Sequence, residues 1–253
     1  MALSAVDNLA SRCNNKIDEA RLKAAAAPHS EDWLNAISIS SVGLRLSDEA
    51  IRVAMGHRLG SPTCHPHTCV CEGQVDARGL HGMACKKRTP RHIRHSMLND
   101  ILWRAVKKAQ VPACKEPVCL FRIDAKRPDG ATLVPWAREK PMTWDVTVPD
   151  TYAQSRVNDT SIQAGTAADS AAAAKKAKYT DIANTYMFIP VAIETGRPWN
   201  VEAIQFIQEI GRRITLINGE SRETEYIFQR ISIAIQKGNH LAYQSTFQTE
   251  SNF

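Results

Sequence analysis

Residues 142–148 read Met-Thr-Trp-Asp-Val-Thr-Val, a run of strand-forming residues that one charged residue, Asp145, interrupts. Aspartate is depleted from strand interiors, and burying a carboxylate without a partner is costly. Such an acid is either functional or caps a neighbouring loop. The stretch therefore predicts a buried strand that carries a candidate site residue.

A second acid precedes Asp145 by sixteen residues. Asp129 lies in Arg127-Pro128-Asp129-Gly130, a sequence typical of a turn that opens a strand. A hairpin of this length can return the second strand beside the first and place Asp129 and Asp145 at one end of a sheet. Two convergent carboxylates suit Mg²⁺ or Mn²⁺. The alternative for Asp129 is an ordinary surface turn.

The flanking sequence predicts the elements that surround the two acids. Residues 95–109 have the apolar spacing of an amphipathic helix. Pro190 lies in the strand-like run 187–194 and favours either an edge position or an interruption of the strand. The order predicts an α/β fold with a mixed sheet flanked by helices. The remaining predicted strands are 111–113, 118–123, 131–136 and 141–149, and the remaining helices are 161–186, 201–217 and 222–237.

The chain divides into four predicted regions. The first, residues 1–59, is helical: one helix ends before Pro28, Ser30 caps a short second helix, and a third spans 48–59. This segment has too little apolar mass for a core of its own. The other regions are a metal-organised knuckle at 60–90, the α/β domain at 91–240 and a tail at 241–253.

Cysteine and histidine concentrate in 22 residues that hold four of the seven cysteines and three of the eight histidines. An odd cysteine number mixed with histidine does not indicate a disulfide framework. Cys69-x-Cys71 and His81-x-x-x-Cys85 offer a two-plus-two ligand set for a structural, tetrahedral Zn²⁺. Cys-x-Cys is a short spacing, so Cys64 or His67 can replace one member of the first pair. The alternative is a group of buried thiols beside unrelated histidines.

Positive charge is concentrated after the knuckle. The chain carries a net charge of +6, and residues 78–127 contain 13 Lys and Arg against three Asp and Glu. Such a stretch can neutralise phosphates, although a solvated helix face is the alternative. His95 either caps the helix that it begins or belongs to the basic patch. The residues assigned to nucleic-acid contact are Lys86, Lys87, Arg88, Arg91, Arg94 and Arg127.

The order of these motifs carries a family resemblance. Arg-Pro-Asp-Gly, a spacer, Trp-Asp-Val-Thr-Val and then Lys175-Lys176-Ala177-Lys178-Tyr179 on a helix resembles a restriction-enzyme-like endonuclease of the PD-(D/E)XK type. The resemblance extends to those endonucleases found at the C-terminal end of site-specific non-long-terminal-repeat retrotransposon polyproteins, where a Cys/His knuckle and an Arg-His pair precede the nuclease. It covers roughly residues 55–240.

The resemblance implies roles for individual residues. Asp129 and Asp145 would be the metal-binding acids. The family's lysine is expected two residues after the second acid, where this chain has Thr147. The lysine can be displaced to the following helix, and Lys178 is then the first choice before Lys175. The alternative is that Lys175, Lys176 and Lys178 together form a solvated or phosphate-contacting face. Outside the resemblance, Glu116 and Glu194 are either accessory ligands or structural residues.

The resulting hypothesis is a Mg²⁺-dependent endonuclease that nicks target DNA. Element RNA, a reverse-transcriptase region and a second copy of the chain are further expected partners. No apolar run is long enough to span a bilayer and no secretory signal is visible, so an intracellular and nuclear location is expected. One alternative is a nucleic-acid-binding module without catalysis, as Thr147 suggests. Another is a zinc-stapled interaction domain, which leaves the basic stretch unexplained.

Overall fold

The computed structural model describes residues 2–85, 88–117, 127–182 and 184–247 of the 253-residue chain. Within them, helices flank a mixed four-stranded sheet, and a separate two-stranded sheet belongs to the knuckle. The α/β class and the mixed sheet are therefore confirmed. The strand predicted at 118–123 lies outside the described residues.

Helices make up most of the described structure. They are α1 (Ala2–Ala10), α2 (Lys16–Ala26), α3 (Asp32–Asn35), α4 (Asp48–Leu59), α5 (His81–Ala84), α6 (Arg88–Lys108), α7 (Val157–Thr160), α8 (Thr166–Lys178), α9 (Val201–Asn218) and α10 (Glu223–Gln244), with a 3₁₀ turn at Thr180–Ile182.

The main sheet has the order β3-β4-β5-β6. Strands β3 and β4 and strands β4 and β5 are antiparallel, whereas β5 and β6 are parallel. In the knuckle, β1 and β2 form an antiparallel pair. The strands are β1 (His67–Thr68), β2 (Gln74–Val75), β3 (Ala113–Lys115), β4 (Gly130–Thr132), β5 (Met142–Thr147) and β6 (Met187–Ala192).

Strand β5 is the centre of the molecule, and five of its six residues are buried. Because side chains alternate between the faces of a strand, Trp144 and Asp145 point to opposite sides of the sheet. Trp144 packs into the main core with residues of α6, α9 and α10. On the other face, Ala168 and Ala172 of α8 pack against the end of β6. The sheet is thus a middle layer between α8 and a three-helix layer.

Pro190 lies at the edge of the sheet, as the sequence predicts. Strand β6 is the last of the four strands in the main sheet, and Pro190 is the register partner of Asp145 on β5. Proline has no N–H to donate, so a neighbour on its outer side is not favoured. The Pro190 carbonyl accepts a hydrogen bond from Nδ2 of Asn200 at 3.2 Å, on the side of β6 that faces away from β5.

Two predicted helix boundaries are wrong. Helix α6 begins at Arg88 rather than at His95, because Pro90 is tolerated in a first helical turn. The helix predicted at 161–186 is shorter, because α8 spans only Thr166–Lys178 and is followed by a 3₁₀ turn, while α7 ends at Thr160, before the predicted start. Gly165, with a φ of 90°, separates α7 from α8, and this left-handed conformation is one that glycine adopts without strain.

The N-terminal region also differs in detail from its prediction. The helix expected before Pro28 is two helices, and Asn15 caps the second by accepting a hydrogen bond from the backbone N–H of Asp18. Ser30 does not cap α3, because its hydroxyl donates to the carbonyl of Ala25 at 2.7 Å. As expected for a segment without its own core, Trp33 packs with α4 and α10.

Helix α10 continues beyond the predicted boundary at residue 240. It ends at Gln244, and Ala242 and Tyr243 are buried. The Tyr243 hydroxyl donates to the carbonyl of Thr63 at 2.9 Å. The last turn of α10 is therefore part of the packing against the knuckle region and not of a separate tail. Among the described helices, none is long and apolar enough to cross a membrane.

Helix α9 offers a test of this core. Ile207 is fully buried between the sheet and α10, whereas Leu216 on the same helix is 73% exposed. We expect Ile207→Ala to lower the free energy of unfolding by about 2–5 kcal/mol, because it leaves a cavity. The control Leu216→Ala should change it by less than about 0.5 kcal/mol. Urea denaturation measures both, and equal effects would contradict the packing.

Candidate functional site

Asp129 is held at the start of β4 by both its backbone and its side chain. Its N–H donates to the carbonyl of Trp144 at 3.0 Å, which ties it to β5. Its Oδ2 accepts a hydrogen bond from the backbone N–H of Val146 at 2.5 Å and lies 2.8 Å from Nε2 of His95. Since Val146 follows Asp145 directly, the two predicted acids are brought to the same end of the sheet.

Asp145 is a buried carboxylate with two partners from the α8 region. Its Oδ1 lies 2.5 Å from Nζ of Lys175, and its Oδ2 accepts a hydrogen bond from the Tyr179 hydroxyl at 2.7 Å. Burial raises the pKa of Asp145, and the negative charge of Asp129 raises it further, while Lys175 and Tyr179 act in the opposite direction. A positive charge next to the two carboxylates is therefore strongly favoured.

The lysine at the acids is Lys175 and not Lys178, the first choice from the sequence. Lys178 is exposed, and its Nζ lies 3.0 Å from the Tyr179 hydroxyl and over the Tyr179 ring. Lys176, between them, forms an exposed ion pair with Glu202. One helical turn of α8 thus presents three lysines in three settings. The sequence spacing alone could not separate them, because the rotation of α8 about its axis decides the contact.

His95 is a site residue that sequence reasoning missed. Because α6 begins at Arg88, His95 lies within the helix and caps nothing, and its contact is with Asp129. The hydrogen bond to Asp129 raises the pKa of His95, although burial opposes this. One turn later, Asn99 donates from Nδ2 to the Asp129 carbonyl at 3.0 Å. The signal was present as two polar residues four apart on a helix with a buried apolar face.

Tyr179 is the second residue that was missed as a site residue. Its ring is fully buried, and its hydroxyl donates to the carboxylate of Asp145 and lies 2.9 Å from the carbonyl of Arg127. Burial and the Asp145 carboxylate raise the pKa of Tyr179. The hydroxyl therefore keeps its proton and bridges β5 to the turn that carries Asp129.

The two candidate accessory acids have different surroundings. Glu116 is exposed, and its backbone N–H donates to the carbonyl of Asp129 at 3.0 Å. Glu194 is fully buried. Its Oε1 accepts from the backbone N–H groups of Ala167 and Ala168 at 3.0 and 3.2 Å. Glu194 therefore caps the N-terminus of α8, which is the structural alternative for this residue.

The predicted zinc ligands converge. Ligand atoms of Cys69, Cys71, His81 and Cys85 all lie within 4.8 Å of one another, so the group could hold a metal ion such as Zn²⁺. The Sγ of Cys71 is 3.1 Å from Nε2 of His81. The backbone N–H of Gly73, together with His81, lowers the pKa of Cys71 to about 6, which favours the thiolate that binds metal.

The alternative ligands are engaged elsewhere. Cys64 contacts the carbonyls of Asp76 and Ala77. The ring of His67 lies with Nδ1 3.0 Å from the carbonyl of His65 and stacks on Phe247 at a centroid distance of 4.3 Å. Neither belongs to the converging group. The short Cys-x-Cys spacing still allows both thiols to join the group, because the tight turn between β1 and β2 brings Cys69 and Cys71 together.

The residues predicted to contact nucleic acid divide into three groups. Lys86 and Lys87 lie outside the described residues, and Arg88 begins α6. Arg91 and Arg127 are exposed. The third group is Arg94, which is buried, contrary to the prediction.

Arg94 is only 2% exposed, whereas the sequence analysis predicts a surface contact with phosphate. Its Nη1 donates to Oδ1 of Asn239 at 2.8 Å, which joins α6 to α10. Burial lowers its pKa to about 10, so the guanidinium remains charged at neutral pH. Leu98, four residues further along α6, shares the helix face of Arg94 and is also buried, whereas Arg91, nearer the start of the helix, is exposed.

No protein-family model matches this chain, and a search of curated proteins finds no match.

The Cys/His group predicts the outcome of metal analysis. We expect the purified protein to contain one zinc ion per chain and Cys85→Ser to lose it. The loss should lower the stability of the protein by on the order of a few kcal/mol, because metal binding contributes directly to folding. Elemental analysis and thermal unfolding measure both effects.

Cys64→Ser is the matched control, since Cys64 lies in the same segment but outside the group. It should retain zinc. Loss of zinc from Cys64→Ser with retention in Cys85→Ser would show that the ligand set is wrong.

Proposed function

We propose that this chain is a metal-dependent DNA endonuclease with a PD-(D/E)XK type core, similar to those of site-specific non-long-terminal-repeat retrotransposons. The observation that carries the proposal is the contact of Lys175 with Asp145, at the strand end where Asp129 is also tied. Two acids on neighbouring strands and a lysine on the following helix are the parts that the sequence resemblance calls for. Nuclear target DNA is the corresponding substrate.

The donor set fits a hard divalent cation. Asp129 and Asp145 provide carboxylate oxygens, which Mg²⁺ and Mn²⁺ prefer. Burial of Asp145 beside a second carboxylate supplies the electrostatic reason for a cation at this place. Two protein ligands are also the usual number for Mg²⁺ that shares its remaining positions with water and phosphate oxygens.

The residues around the acids have separate roles in the proposed phosphodiester hydrolysis. When bound, the metal would supply Lewis acidity and a more acidic water. Lys175 lies where it can orient a water and offset charge on the phosphate. Tyr179 and the N–H of Val146 fix the rotation of the two carboxylates. Preorganised groups of this kind lower the barrier because they need not reorient during the reaction.

His95 has the role of a positioning residue in this proposal. It approaches the same oxygen of Asp129 that accepts from Val146, so Oδ2 is occupied by the protein and Oδ1 is left for a cation. Partners of this type orient ligands and tune metal affinity.

A nucleic-acid-binding protein without catalysis is the second candidate. It is favoured by Thr147, which stands in the usual lysine position on β5. The ion pair between Lys175 and Asp145 also favours this candidate, because the lysine already neutralises the charge of Asp145 without a metal ion. The two candidates share the fold and the DNA surface and differ in whether the acids bind a divalent ion.

The nuclease proposal predicts nicking of supercoiled plasmid DNA in Mg²⁺ or Mn²⁺. Asp129→Ala and Asp145→Ala should abolish nicking and retain DNA binding, because both variants remove a metal ligand and leave the basic surface unchanged. Lys175→Met should slow nicking at least about a hundredfold. Gel-based nicking and fluorescence anisotropy measure the two properties.

Lys176→Met is the matched control on the same helix, because Lys176 pairs with Glu202 away from the acids. It should nick like the wild type. Wild-type protein that binds DNA but nicks it with neither metal would establish the non-catalytic candidate.

The role of His95 predicts a change in metal affinity. His95→Ala should weaken Mn²⁺ binding by about tenfold or more, as measured by calorimetry on the zinc-loaded protein. His95→Gln keeps an N–H donor and should restore most of the affinity. His92→Ala, at an exposed position of the same helix, is the control. Equal Mn²⁺ affinity in His95→Ala and wild type would refute a positioning role.

A further inference from the structure

A groove of about 790 Å³ extends from the end of the knuckle to residues that contact the two acids. It is lined by the N-terminal half of α6, with Arg91, His92 and His95, and by Lys175 of α8. The end of β5 and the loop that follows it also contribute, as do Met83 and Ala84, next to the zinc group. We call this feature the basic groove.

Basic residues outnumber acidic ones along the basic groove. Arg91, His92, Arg94, His95 and Lys175 line it, and Asp150 is the one acid among its lining residues. The carboxylate of Asp150 is engaged from within the protein, since the Thr195 hydroxyl donates to it at 2.7 Å. His95 and Lys175 are paired with Asp129 and Asp145, and Arg94 is buried, so Arg91 is the cation that the groove presents to a ligand.

The basic residues of α6 are spaced to suit a repeating anion. Arg91 and His95 are four residues apart and share a helix face, about 6 Å apart along the axis. Successive phosphates of one DNA strand advance about 3.4 Å along the duplex axis. One turn of α6 therefore spans roughly two phosphates. A guanidinium such as that of Arg91 can also bind a phosphate through two donors.

The groove opens directly onto the candidate active site. His95 and Lys175 both line it, and each contacts one of the two acids. A strand that follows the groove is consequently led to Asp129 and Asp145.

A larger groove of about 880 Å³ lies on the other side of α6 but is less suited to phosphate. Of its basic residues, Arg104 and Lys115 are both paired with Asp100. Ile93, Met97 and other apolar side chains contribute to its lining.

We propose that the basic groove binds the phosphodiester backbone of the DNA strand beside the position that is cut. The inference rests on the proposed nuclease function and adds the path of the substrate to it. In this proposal the knuckle forms one end of the groove that the DNA strand follows. Arg91 joins the two parts by donating from Nη2 to the carbonyl of Ala84.

Charge reversal in the groove tests the proposal. We expect Arg91→Glu to weaken binding of a short DNA duplex about tenfold and to reduce the salt dependence of binding by about one ion. His92→Glu, at an exposed position, should weaken binding in the same direction. Anisotropy titrations without Mg²⁺ at several salt concentrations measure both. Zinc content and thermal unfolding of each variant confirm that the knuckle is intact.

Arg230→Glu is the matched control, because Arg230 is exposed on α10 and lies outside the basic groove. It should change the dissociation constant by less than about twofold. A duplex with neutral methylphosphonate linkages should remove the difference between Arg91→Glu and wild type. An Arg91→Glu effect that persists on the neutral backbone would contradict phosphate recognition.

The outcomes separate this proposal from the nuclease itself. Wild-type protein that nicks DNA, with Arg91→Glu and His92→Glu binding no worse than Arg230→Glu, overturns the groove and leaves the nuclease. Loss of DNA binding in the groove variants, with a wild type that never nicks, supports the groove and overturns the nuclease. Weakened binding of duplex RNA but not of DNA in Arg91→Glu overturns the assignment to DNA.

Discussion

A carboxylate buried in the middle strand is the constraint on which the site depends. Asp145 has lost its water on β5, so its charge must be met by groups that other elements supply. Lys175 and Tyr179 meet it from the α8 region. Glu194 fixes the start of α8 by accepting from its first N–H groups. Two buried acids therefore set the position of Lys175: Glu194 caps the start of α8, and Asp145 on β5 contacts the lysine itself.

The knuckle is fastened to the rest of the molecule by more than the metal group. Gly82 lies so close to Ala242 and Tyr243 that an added Cβ would meet the α10 backbone at 2.8 Å. Arg78, in the loop between β2 and α5, forms two hydrogen bonds of 2.9 Å with Asp18 of α2. This bond holds the pKa of Asp18 well below its ordinary value. The region thus links the N-terminal helices, α10 and the start of α6.

Sequence patterns predicted those features that depend on local order. The strand around Asp145, the edge position of Pro190 and the helix that became α9 follow from periodicity and turn residues. The Cys/His group also follows, because its ligands are close in sequence. Arg94 shows the limit, since a basic residue in a basic stretch gave no sign that Asn239 would bury it. The His95 contact was hidden in the same way, because Asp129 is 34 residues away.

Helix α10 packs against α3, α4, α5, α6 and α9, and its partners include residues nearly 200 positions earlier. Such contacts close large loops and form late in folding. At the usual speed of translation, residues of α4 wait on the order of 10–40 s before α10 leaves the ribosome. During this time the faces of α4 and α6 that pack against α10 have no permanent cover. The native state is therefore reached only after α10 has been made.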